Sequence, residues 1–113
     1  MNDPQQHLPL TTVAFEILLA VGDHETSGYE VMLAIEERTE GRLSPNPGTL
    51  YRAIDRLVGD GLIDVRATDA GGAKPRRRLS ISKLGRAVLA AESDRLAAQI
   101  DAARALGTSR GSR

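Results

Sequence analysis

Apolar positions along this chain form helical stripes, broken once by a short stretch of alternation. Leu10, Val13, Ile17, Leu18 and Val21 recur at three- and four-residue steps. That spacing predicts a first helix over 10–21, closed by Gly22 and Asp23. Ser27 followed by Glu30 is a capping box, so a second helix opens there and runs to about Thr39 before Gly41. A third helix starts at Asn46-Pro47. Proline needs no N–H partner at the first helical position, and it pushes Asn46 into the extended conformation of an N-cap. Leu50, Ala53, Ile54 and Leu57 form its buried stripe, and Gly59-Asp60-Gly61 its stop. The period then drops to two. Ile63 and Val65 alternate against Leu79 and Ile81, giving strands at 62–66 and 78–81. The connection, Thr68 to Pro75, is rich in turn residues and has no apolar anchor, so its tip is expected to be mobile. Ser82 caps a last helix reaching about Leu106.

Three helices, a hairpin and a long helix make a mainly α chain with a small β-hairpin. This is the order of a winged helix-turn-helix followed by a long C-terminal helix, with the third helix in the recognition position and the hairpin as the wing. The expected division is a flexible N-terminal arm at 1–9, a winged helix-turn-helix DNA-binding domain at 10–82, a dimerisation helix at 83–106 and a disordered tail at 107–113.

Net charge is zero over 113 residues, which on its face argues against a nucleic-acid partner. The distribution argues for one. Residues 1–45 hold two basic residues against eight acids, and residues 46–86 hold nine against four. Positive charge is thus concentrated in the third helix and the hairpin, and local field steers a polyanion. Zero cysteines exclude disulfides and thiolate chemistry and fit a reducing cytoplasm. No apolar run is long enough to span a membrane.

On the third helix, Thr49, Tyr51, Arg52 and Arg56 point away from the buried stripe. Arg52 and Arg56 are four apart and share a face, as a groove-reading helix requires. Surface ion pairing with Asp55 and Asp60 is the alternative, but exposed pairs contribute only ~0–1 kcal/mol. Tyr51 reads equally as a DNA contact or as packing on the wing. Tyr29 packs on the core edge, the simpler reading, or sets its hydroxyl at a phosphate near the second helix's start. Lys74, Arg76, Arg77 and Arg78 would lie along phosphates beside the groove; the rival role is an edge charge that blocks strand aggregation. Leu89, Leu96, Ile100 and Ala103 on the last helix form a stripe that a small domain cannot cover alone, which points to pairing with a second copy.

Other chemistry finds no support. His7 and His24 lack ligand spacing, so no metal is expected. Gly71-Gly72-Ala73-Lys74 matches no phosphate-loop pattern. Glu36 and Glu37 read as a solvated face, and no catalytic constellation is present. No cofactor and no enzyme activity are expected.

Over about residues 10–106 the chain resembles the PadR-like transcriptional regulators. The resemblance is carried by Ser27-Gly28-Tyr29-Glu30-Val31, by Pro47-Gly48-Thr49-Leu50-Tyr51-Arg52-Ala53-Ile54 with Arg56-Leu57, by Asp60-Gly61-Leu62-Ile63, and by Ile81-Ser82 with Gly85-Arg86. It implies a homodimeric repressor that binds an operator duplex, of the form with one C-terminal helix. It places Thr49, Tyr51 and Arg52 in the recognition segment and Arg76 and Arg77 in the wing, and it raises a small-molecule effector. Two departures stand out. The second wing strand has Arg78 and Leu79 where aromatic residues are usual, and the last helix has no aromatic on which a ligand could stack. The rival readings are a ligand sensor and a protein-interaction module that does not read DNA directly.

Overall fold

A computed structural model describes residues 3–68 and 76–107, with the side chains of Thr68 and Arg76 outside that description. Helix α1 spans Thr12–Asp23, α2 Gly28–Arg38, α3 Pro47–Gly59 and α4 Lys83–Ala105; β1 is Ile63–Thr68 and β2 Arg76–Ile81. The expected hairpin tip, Lys74 within it, and the tail beyond Gly107 fall outside the described residues.

The helix starts follow the local chemistry. Ser27 Oγ accepts from the Glu30 N–H at 3.2 Å, and Glu30 Oε1 accepts from the Ser27 N–H at 3.0 Å, so the capping box is complete. Asn46 Oδ1 accepts from the Thr49 N–H at 2.9 Å, with Pro47 just inside the helix. Gly61 takes a φ of 81°, ending α3 as a glycine can. The first helix differs slightly. Its cap is Thr11, so Leu10 precedes it, and Gly22 and Asp23 lie inside its last turn.

The core is one cluster. Ile17, Leu18 and Val21 from α1 meet Val31 and Ile35 from α2 and Leu50, Ile54 and Leu57 from α3. Leu62, Ile63, Leu79 and Val88 close it from the wing and from α4. The antiparallel register pairs Ile63 with Ile81 and Val65 with Leu79, as the alternation predicts.

Three further features were not signalled by the sequence. The short stretch between Asp23 and Ser27 contributes an edge bridge. Thr26 exchanges backbone hydrogen bonds with Leu79, 2.9 Å from its N–H and 2.7 Å to its carbonyl, so a one-residue bridge flanks the two-stranded wing on the β2 side. The segment read as a loose arm forms a 3-10 turn, Pro4–His7, packed against α4. Leu8 and Leu10 lean on the core, and the Leu10 N–H donates to Glu92 Oε2 at 2.9 Å. Finally, α1 carries a buried carboxylate, Glu16, held by Arg38 of α2 through a bond from Nε to Oε1 of 2.7 Å.

Candidate nucleic-acid interface

The stripe of α3 that packs on α1 leaves the opposite face open. Thr49, Tyr51, Arg52, Asp55 and Arg56 are all exposed there. Among the described residues, neither Arg52 nor Arg56 has an ion-pair partner, whereas Arg38, Arg66, Arg77, Arg78 and Arg95 each hold a carboxylate. Asp55 and Asp60 do not neutralise the two α3 arginines.

The wing stands beside this face. Alternation along β2 puts Arg77 on the side of Leu79, facing α3, and Arg78 on the other side with its register partner Arg66. Arg77 Nη1 donates to Asp55 Oδ1 at 3.2 Å. Arg78 is engaged by acids. Its guanidinium is gripped by Glu30 at 3.4 Å and Glu25 at 3.8 Å and donates to the Glu25 carbonyl at 3.2 Å. Arg66 reaches the same Glu25 carboxylate at 2.7 Å. The edge formed by Glu25 and Thr26, which the sequence did not signal, is the reason: it brings acids to that face of the hairpin. The hydrogen bond from Arg66 holds the Glu25 carboxyl below the usual carboxylate range. Glu30 is lowered as well, first by the Ser27 N–H and then by the Thr26 hydroxyl.

Between the start of α2, α3 and the wing lies a cleft of about 560 Å³ lined by Ser27, Gly28, Tyr29, Glu30, Tyr51, Arg77 and Arg78. Tyr29 is 59% exposed on its rim, so it is a surface residue rather than part of the core edge. Tyr51 leans over Gly28 at the start of α2 and also borders Arg77 and Leu79 of the wing. The open face of α3 thus touches both its neighbours through one ring.

The long helix divides in two. Gly85, Val88 and Glu92 are buried, and Leu89 packs partly on the chain's own core beside Gly22, so Leu89 serves this domain before any partner. Leu96 is half-buried. From residue 97 to residue 107 every position is exposed, including Ile100, Ala103 and Leu106. Among the described residues no group of three potential metal ligands exists, and no helix is long and apolar enough to cross a membrane.

A tri-helical core, a third helix with bare arginines on its open face and a hairpin pinned beside it define a winged helix-turn-helix protein. Residues 17–91 match the transcriptional regulator PadR-like family, and the chain belongs to that family. It is 32% identical over 79 residues to the transcriptional regulator YqjI of Escherichia coli, a match covering 70% of this chain and 35% of that protein. An uncharacterised YqjI protein of Shigella flexneri matches to the same extent. The chain therefore spans about a third of the length of these curated relatives. Among solved structures, a transcriptional regulator from Clostridium thermocellum superposes with a TM-score of 0.72 at 21% identity, covering 81% of this chain and 86% of that one. A PadR family regulator from Clostridium difficile also gives 0.72, at 16% identity and 85% and 98% coverage. Bacillus subtilis PadR in complex with operator DNA gives 0.63 at 22% identity, covering 70% of this chain and 45% of that one.

Proposed function

We propose that this family member is a sequence-specific DNA-binding regulator that works as a homodimer. In this reading it is a repressor relieved by a small-molecule effector. The observation that carries the DNA reading is the unpaired state of Arg52 and Arg56 on the exposed side of α3, among the described residues. A free arginine on a groove-sized helix can reach a guanine edge or a phosphate without first breaking a contact of its own. The fold is shared with a regulator solved on its operator, which supports the same reading.

In the complex, Thr49, Tyr51, Arg52 and Arg56 enter the major groove. Lys74, Arg76 and Arg77 follow the backbone, and Tyr29 meets a phosphate from the start of α2. Arg78 has a different part: with Glu25 and Glu30 it sets the angle of the wing. Two copies joined through Leu96, Ile100 and Ala103 of α4 would place their α3 helices about 34 Å apart on one face of the duplex.

Fluorescence anisotropy with duplex from upstream of the chain's own gene, against a random duplex, tests the reading. Arg52→Ala is expected to cost about 1–3 kcal/mol on the upstream site and clearly less on random DNA. Equal losses on both would remove Arg52 from base reading. No binding to either duplex by the unmodified chain would reject the DNA function and leave the ligand-sensor or protein-interaction reading.

A further inference from the structure

Asp55 sits in the middle of the reading face, three residues after Arg52 and one before Arg56. A carboxylate there is out of place on a surface meant for a polyanion. It contributes little to stability, because both partners of its ion pair are open to water, with side chains 62% and 47% exposed for Asp55 and Arg77. What it does have is a fixed partner. Arg77 reaches across from β2 to place Nη1 at 3.2 Å from Asp55 Oδ1. Every other wing arginine with a described side chain is also held by an acid, but the acids that hold Arg66 and Arg78, Glu25 and Glu30, belong to α2 and the segment before it rather than to α3. Arg77 alone among them is tied to the reading helix itself.

We infer that Asp55 is a positioning residue that competes with DNA phosphate for Arg77, so that the wing's hold on the backbone is set below its full cationic strength. The inference rests on the DNA-binding reading above. An exposed pair is cheap to open, so the competition is a balance rather than a block. While Arg77 is shared with Asp55, it releases less than a full counterion equivalent when the duplex arrives. The pair also tethers the loop-side end of β2 to α3, so a phosphate that displaces Asp55 loosens that tether at the moment of binding.

The test is a salt titration of random-duplex binding by the full chain, Asp55→Asn, Arg77→Ala and the double variant. Asp55→Asn is expected to bind about 3- to 10-fold more tightly and to steepen the log–log salt slope by up to about one. Part of any gain would come from removing a negative charge near phosphate, so the cycle decides the cause. In the Arg77→Ala background, the gain from Asp55→Asn is expected to shrink at least threefold. Arg77→Ala alone is expected to flatten the slope by clearly less than one. An equal gain with and without Arg77 overturns the competition. So does an unchanged slope in Asp55→Asn. If the unmodified chain binds no duplex, all four proteins will fail alike, and that pattern marks the collapse of the DNA reading rather than of this pairing.

Discussion

The ring of Tyr51 lies directly on the backbone of Gly28. A Cβ added to Gly28 would fall inside van der Waals contact with Cε1 and stand 3.1 Å from Cζ and 3.2 Å from Oη. The first residue of α2 is therefore the floor on which an exposed side chain of α3 rests. The floor must be bare for the ring to keep its place.

Gly28→Ala separates that contact from stability. The clash is with the far end of a movable side chain, so the ring can swing out at small cost. Unfolding free energy is expected to stay within about 1 kcal/mol, helped by alanine's better helix propensity. The chain has two tyrosines, so ring resonances can be followed individually by NMR, and those of Tyr51 are expected to shift. An unmoved Tyr51 spectrum would mean that the ring does not rest on Gly28.

Gly85→Ala is expected to behave in the opposite way. Its Cβ would run into the carbonyl of Leu62 and come within 2.8 Å of Ile81 Cγ1. Here the obstacle is backbone, which cannot step aside. Alanine would normally improve a helix interior, but overpacking is expected to win, with a loss of about 1–3 kcal/mol. Chemical denaturation measures it, and a stabilised variant would refute the close approach of α4 to the wing's base.

Glu92 gives a pH dependence. It is buried and accepts from Arg95 Nη2 at 3.0 Å and from the Leu10 N–H at 2.9 Å. The Arg95 bond, with help from Leu10, holds its carboxyl below the usual range although burial pushes the other way. A group depressed in the folded chain stabilises it above the unfolded pKa, and that share is lost as pH falls through the lower folded value. Glu92→Gln is therefore expected to cost about 1–3 kcal/mol at neutral pH, as for a hydrogen bond to a charged group. The gap to the unmodified chain should narrow as pH drops below the ordinary carboxylate range. Denaturation midpoints across pH 3–7 (about four units, spanning the free carboxylate value) check it, and a constant gap would contradict the ionised state.

Ile100→Glu tests the proposed homodimer. Ile100 is 49% exposed on the part of α4 that leaves the domain. Burying two copies of it against each other and then replacing both with acids is expected to weaken association by at least about 10-fold. Sedimentation velocity reads the change, and melting of the individual domain should be little altered. An unaffected oligomer would move the interface elsewhere.

Much of the architecture was legible along the chain because it depends on contacts within a few residues. Asn46-Pro47, the Ser27–Glu30 box, Gly61 and the period-two stretches act locally, so they report on themselves. The exposure of Arg52 and Arg56 followed from the same logic, as the reverse of the Leu50–Ile54–Leu57 stripe. What could not be read were pairings across long separations. Arg78 looked the same as Arg76 and Arg77 in the sequence, yet the Thr26–Leu79 bridge delivers Glu25 to it. The docking of the N-terminal turn depends on Glu92, 82 positions from Leu10. Tyr29 looked apolar enough to pack, but the start of α2 sits at the rim of a cleft.

The sequence by itself determined where the helices and strands begin and end and which face of each is apolar, because capping, φ restriction and side-chain periodicity are short-range effects. Only the tertiary structure decided which cations stay free. An arginine's availability depends on whether folding brings a carboxylate within reach, and the partners of Arg66, Arg77 and Arg78 lie 22 to 53 residues away in the chain.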